Sequence, residues 1–205
     1  MIHNRRYWMV IGVLVMTGFV VLWRQGNHLQ ESYAGEVVRF HVLANSDSET
    51  DQDLKLAVRN KVGVYVGDLL QGVESKEETL EVISAHLSEI EDVAEEEVKR
   101  QGRDYPVTAK IEQVDFPVKF YGPYHMPAGE YTSLQVRIGE AKGRNWWCVM
   151  YPNMCFAGNT YEVVEGKEKK QMYQVFTVYE YKKLIESPNK EIHFKYLTKL
   201  EDKLY

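Results

Sequence analysis

Two sets of side chains in this chain have the types and spacing to do chemistry. The first is His41, Asp47, Asp51 and Asp53. An imidazole and three carboxylates in one short stretch could hold a divalent cation or work as an acid–base pair. The patterns that such sites need are missing, however. There is no His-Glu-x-x-His and no calcium loop with its glycine, no Gly-x-Ser-x-Gly elbow and no phosphate loop. Helix capping alone accounts for the acidic residues. This reading therefore assigns no catalytic residue, no metal ligand and no cofactor.

The second set is Cys148 and Cys155, the two cysteines of the chain. A redox dithiol usually shows Cys-x-x-Cys, and this spacing is wider. Half of a zinc site is conceivable, but no histidine lies within a few residues of either cysteine. A nucleophilic Cys148 would need a free, activated thiol. Between the two, Pro152-Asn153 stops the strand Trp146-Trp147-Cys148-Val149-Met150-Tyr151 and lets the chain fold back. In an oxidising compartment a structural Cys148–Cys155 disulfide is the favoured state, worth roughly 2.5 kcal/mol in the chain-entropy model for so short a loop.

The compartment is read from the N-terminus. Arg5 and Arg6 precede an uncharged run from Tyr7 to Trp23, and Arg24 closes it. The run is short for a bilayer-spanning helix of roughly 20 apolar residues and long for a signal-peptide core of about 7–15. Cleavage after Ser32-Tyr33-Ala34 and retention as a single anchor with the arginines inside both fit. Either way, the remainder is expected outside the cytoplasm.

The elements that must position these residues follow in order. Glu36 to Ala44 alternates as a strand, with Val38, Phe40 and Val42 on one face and Val37, Arg39, His41 and Leu43 on the other. Asn45 to Asp53 is a helix start with repeated capping-box spacing. A helix over 51–70 is expected, with Leu54, Val58, Val62 and Val66 inward and Asp51, Lys55 and Arg59 recurring every four residues beside them. A second helix over 76–100, opened by the capping box Ser75-Lys76-Glu77-Glu78 after the short turn at Gln71–Glu74, makes an antiparallel helical hairpin. Beyond Tyr105 the period becomes two. One strand is expected from Val107, with Val107, Ala109 and Ile111 alternating, to before Phe116-Pro117. Another is expected at Thr132–Ile138, with Leu134, Val136 and Ile138 inward and Gln135 and Arg137 outward. Between them lies an aromatic loop holding Phe116, Phe120, Tyr121, Tyr124 and Tyr131. Gly139–Gly143 has hairpin length, so the Trp146–Tyr151 strand is expected to pair with Thr132–Ile138. A short helix at Glu180–Ser187 and a strand at Glu191–Tyr196 complete the reading. The fold class is α+β: strand, antiparallel helical hairpin, then a mostly antiparallel β-sheet, behind an N-terminal hydrophobic export segment. The domain divisions are residues 1–34 (signal peptide or membrane anchor), 35–160 (core domain) and 161–205 (a variable C-terminal extension of the same domain).

Charge excludes one class. The chain carries 25 basic and 30 acidic residues. Residues 1–34 hold Arg5, Arg6 and Arg24 against Glu31, leaving 22 basic and 29 acidic in the rest, a net charge of −7. Nucleic-acid binders present concentrated positive charge instead.

Several blocks in order resemble a known family. Arg39-Phe40-His41-Val42-Leu43-Ala44-Asn45-Ser46-Asp47-Ser48, with Asp51-Gln52 and Leu54-Lys55, resembles the N-terminal signature of the stage II sporulation protein R family. Pro127-Ala128-Gly129-Glu130-Tyr131, Ile138-Gly139-Glu140-Ala141-Lys142-Gly143, and Asn145-Trp146-Trp147-Cys148-Val149 through Cys155-Phe156 resemble its central blocks. The resemblance implies an endospore-forming bacterium and a signal rather than an enzyme. Such a protein is made in the forespore and exported to the space between forespore and mother-cell membranes. It triggers a membrane-embedded aspartic protease, stage II sporulation protein GA, to process pro-sigma-E. The candidate partner contacts on this reading are His41, Asn45, Asp47, Asp51, Lys55 and Arg59 at the strand–helix junction, with Tyr121, Tyr124, Glu130 and Trp146. The alternative is an extracytoplasmic hydrolase using His41 with Asp47 or Asp51. A third class, a wall-binding module, would use the aromatic loop.

Overall fold

The computed structural model describes residues 2–121, 124–154 and 172–185. A helix, α1 (Ile2–Glu36), leads into strand β1 (Val38–Leu43). Three helices follow: α2 (Glu49–Leu69), α3 (Lys76–Ala85) and α4 (Leu87–Arg100). The remaining strands are β2 (Val107–Phe116), β3 (Lys119–Tyr121), β4 (Tyr124–Met126), β5 (Gly129–Ile138) and β6 (Asn145–Tyr151), with a last described helix, α5 (Val178–Ile185). The class is α+β, as expected.

The sheet order is β2-β5-β1-β6, with β3 and β4 forming a separate two-stranded hairpin. β1 is central: it runs parallel to β5 (Arg39 opposite Ser133) and antiparallel to β6 (Phe40 opposite Cys148). β2 pairs antiparallel with β5 over its whole length. The expected β5–β6 hairpin is therefore corrected: β1 lies between those two strands. The connection Gly139–Arg144 has hairpin length, but it arches over the end of β1 and descends on its far side.

Helices cover one face of the sheet. Val38, Phe40 and Val42 of β1 meet Leu54, Val58, Val62 and Val66 of α2, Ile83 of α3, and Ile90, Ala94 and Val98 of α4, all buried. Each such side chain contributes roughly 1.5–3 kcal/mol by leaving water. Ser48 caps α2 and Ser75 caps α3, each accepting from the backbone N–H three positions on, as the capping boxes predict. The expected long second helix is instead two. The helical ladder breaks at His86, whose N–H donates to the Ile83 carbonyl (3.1 Å) and whose ring nitrogen Nδ1 lies 2.7 Å from the Val82 carbonyl.

The other face is covered too. Tyr33 and Val37 at the end of α1, Phe116, Tyr124, Met126, Tyr131 and Val149 of the sheet and hairpin, and Phe176, Tyr181 and Leu184 near the C-terminus form a second buried cluster. The aromatic stretch that read as a loop is thus largely core, with Phe120 left exposed. Gln135, expected to face outward, is buried for the same reason. Thr177 and Glu180 make a reciprocal cap on α5, with Glu180 N–H donating to Thr177 Oγ1 (3.3 Å) and Thr177 N–H to Glu180 Oε2 (2.8 Å). The strand expected at Glu191–Tyr196 lies outside the described residues, as do the 158–171 stretch and Ser187.

The N-terminal helix is tied to the domain at its end. Tyr33 OH donates to the Glu180 carbonyl (3.0 Å), Ser32 Oγ donates to the Glu180 carboxylate, and Gln30 Nε2 donates to the Glu130 carbonyl (3.1 Å). Lys76 Nζ donates to the carbonyls of Ala34 (2.7 Å) and Gly35 (3.0 Å), satisfying orphan acceptors of the last helical turn. Apolar side chains from Tyr7 to Leu22 are exposed all round the helix. At 1.5 Å per residue that run spans about 24 Å, short of the roughly 30 Å hydrocarbon core. Among the described residues, no helix is long and apolar enough to cross a membrane.

Candidate functional site

The polar residues of the first signature meet the second at the arch over β1. As the chain leaves β1 for α2, Ala44 and Asn45 give their carbonyls to the backbone N–H groups of Gly143 (2.9 Å) and Lys142 (3.2 Å). Asn45 Oδ1 accepts from Glu140 N–H (2.9 Å), while Nδ2 donates to Asp51 Oδ2 (2.8 Å). Ser46 Oγ donates to the same carboxylate oxygen (2.6 Å). Asp47 Oδ1 accepts from Arg144 N–H (2.6 Å). The crossing is tight enough to require glycine twice. A Cβ on Gly143 would collide with the Ser46 carbonyl oxygen, and one on Gly139 (φ +57°) with the Asn45 side chain.

α2 supplies the floor. Asp51, Lys55 and Arg59 stand one turn apart on the side facing the arch, and all three are buried. Hydrogen bonds from Ser46 and then Asn45 hold the Asp51 carboxyl below its usual range, with burial opposing them. Lys55 Nζ donates to Gln52 Oε1 (2.6 Å) and to the Arg144 carbonyl (3.0 Å), and burial lowers its pKa first, with Arg144 and Arg59 adding. Arg59 donates to Asn60 Oδ1 and lies 4.9 Å over the Trp146 ring. Trp146 in turn meets Phe40 edge to face, 5.7 Å between centroids.

His41 is elsewhere. It projects from the opposite face of β1, stacked 3.8 Å from the Trp147 ring and against Phe116, and it is 3% exposed. Burial pushes its pKa down to about 4. The nearby Asn145 side chain opposes this, and the Arg137 and Arg39 charges add to it. The structure therefore does not assemble His41 with Asp47 or Asp51, and the pairing on which the hydrolase reading rests is absent. Among the described residues no group of three or more His, Cys, Asp or Glu side chains could hold a metal ion.

The remaining sequence candidates scatter. Tyr124 is buried with its hydroxyl 3.3 Å from Tyr181 OH, and Tyr121 OH accepts from Arg39 Nη2 (2.8 Å). Of the ten candidate contacts, Asp47 and Glu130 are exposed; the other eight are buried or half-buried. Cys148 is buried on the helix side of β6; its expected partner Cys155 lies outside the described residues. Sequence reasoning passed over the outer rim of the arch, where Glu140, Lys142 and Arg144 are exposed beside Asp47. It also passed over Arg39, whose burial no local pattern announces.

The comparisons give this geometry a family. The family model described as stage II sporulation protein R matches residues 34–161. The chain belongs to that family. It is 35% identical over 137 residues to the stage II sporulation protein R of Bacillus subtilis (strain 168), covering 66% of this chain and 61% of that relative. No solved structure matches it. The stage II sporulation protein R region includes both sides of the crossing, the strand β1 and the whole four-stranded sheet. Membership places the chain among sporulation proteins.

Proposed function

We propose that this chain is an exported signalling protein of endospore formation. On this reading it acts in the space between forespore and mother-cell membranes, held there or delivered there by the Tyr7–Trp23 segment. Its partner is the membrane-embedded aspartic protease stage II sporulation protein GA, which it triggers to process pro-sigma-E; on this reading the chain is the signal and the catalytic aspartates belong to the protease. The observation that carries the reading is the family match across residues 34–161. A Cys148–Cys155 disulfide belongs to the same reading, because an oxidising compartment would sustain it.

The arrangement of the arch refines where the partner would dock. Asp51, Lys55 and Arg59 are spent on internal bonds, so they act as supports for the surface. The outward Asp47, Glu140, Lys142 and Arg144 form a rim of mixed charge held on a rigid base. Triggering requires this rim to bind the active state of the protease more tightly than the inactive one.

The test is co-expression with the protease and pro-sigma-E in cells that are not sporulating. Cleavage that needs the export segment, and that falls with Lys142→Glu and Arg144→Glu while the domain stays folded, is the expected result. Folded, exported protein without cleavage would overturn the reading.

A further inference from the structure

Arg39 is a cation buried without an anion. It is 0% exposed, the second residue of the central strand. Nε donates to the Cys148 carbonyl (3.0 Å) and Nη2 to Tyr121 OH (2.8 Å), while among the described residues Nη1 has no partner. The guanidinium sits 4.3 Å from the Phe116 ring centroid, 5.0 Å from Tyr131 and 5.6 Å from Tyr121. Aromatic faces attract a desolvated cation, but they give Nη1 no acceptor, and an unmade bond of a buried charge is costly.

A second cation stands beside it. In β3, side chains two apart share a face, so Lys119 and Tyr121 both turn toward Arg39. Lys119 is half-buried, its pKa is lowered by burial and then by Arg39, and among the described residues it forms no ion pair. Two cations, a hydroxyl and one free guanidinium N–H group thus converge where no carboxylate of the described chain reaches. β3 belongs to the separate hairpin and shares no ladder with the main sheet.

We propose that Arg39, Lys119 and Tyr121 form a binding site for a single carboxylate. One carboxylate oxygen takes the Nη1 donor, the other meets Lys119 Nζ, and Tyr121 OH, already accepting from Arg39, donates its own proton to the anion. The aromatic cage holds the guanidinium in place, and the carboxylate enters by a shift of β3, which no ladder ties to the main sheet. The carboxylate comes either from a free organic acid or from an acidic side chain of another protein. The site exists whichever partner the rim of the arch engages.

The test uses the full purified chain in detergent micelles, titrated at constant pH and ionic strength with sodium acetate replacing sodium chloride. A parallel titration uses a short glutamate-containing peptide blocked at both ends. The readouts are melting temperature and tyrosine–tryptophan near-ultraviolet dichroism. Wild type is expected to show a saturable rise in melting temperature. The apparent affinity falls about tenfold in Lys119→Ala, a change at a half-buried side chain, and several-fold in Tyr121→Phe, which keeps the ring. Tighter binding of the peptide identifies a protein side chain as the source, and tighter binding of acetate a free acid. A response that does not saturate, or one equal in wild type and Lys119→Ala, overturns the site.

Discussion

Asn45 and Glu140 stand 95 positions apart, and the side-chain oxygen of the first accepts the backbone N–H of the second at 2.9 Å. The same amide donates to Asp51, so one side chain joins the exit of β1, the start of α2 and the arch between β5 and β6. Both hydrogen-bonding ends of the group are used, and only an amide of this length offers both.

Replacing Asn45 by alanine removes the acceptor of Glu140 N–H and one of the two donors to Asp51 Oδ2, Ser46 being the other, an expected loss of about 1–2 kcal/mol. Asn45→Asp is expected to be worse, because it sets a second carboxylate against Asp51. Chemical denaturation of the three proteins should rank them wild type, alanine, aspartate. Equal stability of the two variants would show that the Asp51 contact carries no weight.

Gly143→Ala should cost about 2–3 kcal/mol, since the new methyl meets a backbone carbonyl that cannot rotate away. Gly72→Ala makes a control. Its φ is also positive (+84°), yet a Cβ there meets nothing within 4 Å, so its loss should stay near 1 kcal/mol.

His41 predicts an acid-sensitive fold. Its folded pKa of about 4 lies below the ordinary value of 6.5, so between those pH values the unfolded chain holds a proton that the folded chain refuses. Stability is complete above pH 6.5 and falls as pH drops toward 4, by up to about 3 kcal/mol. Asp51, whose pKa is lowered on folding, adds a further loss only below its ordinary range near pH 4. His41→Phe should flatten the slope between pH 6.5 and 4 and leave the lower one.

The last turns of α1 are structural, and removal at Ala34 would take Tyr33 out of the second core. A chain beginning at Gly35 is expected to melt below one beginning at Gln25. The loss of a buried Tyr side chain, about 3 kcal/mol, corresponds to roughly 6–12 °C for a domain of this size. Equal melting temperatures would free the helix end from any role in the fold. Mass measurement of the N-terminus on protein recovered from cells tells which form they keep.

β2 is an edge strand, and Glu91 of α4 covers part of it by accepting from Ala109 N–H at 2.7 Å. An uncovered edge invites pairing with another chain. Glu91→Ala should expose that N–H to faster hydrogen exchange and raise aggregation on heating, with little change in the helical signal. Unchanged exchange at Ala109 would refute the protective role.

What was legible in the sequence was local. Ser48 and Ser75 announced their helices through residues that bond to the nearest backbone, and the alternation of Val38, Phe40 and Val42 placed β1 correctly. Pairing was not legible, because Gly139–Gly143 suits a hairpin and an arch equally, and the deciding contacts come from Ala44 and Asn45 far upstream. His86 breaks the second helix with neither glycine nor proline to mark it. Gln135 looked outward, and Arg39 and His41 read only as the second face of β1, because alternation separates two faces but cannot say that both are buried. The junction residues read as contacts for a partner since polar side chains in a tight cluster look alike whether they face another protein or brace their own chain.

The central position of β1 also sets the order in which the molecule can form. β1 is the first strand to emerge during synthesis, yet its two neighbours begin at Gly129 and Asn145, and the arch that locks it arrives with them. The early segments can make helices but no sheet until most of the chain is present. Such long-range pairing makes folding slow. A chain that cannot close its sheet early remains threadable for longer, the state that the proposed export would require.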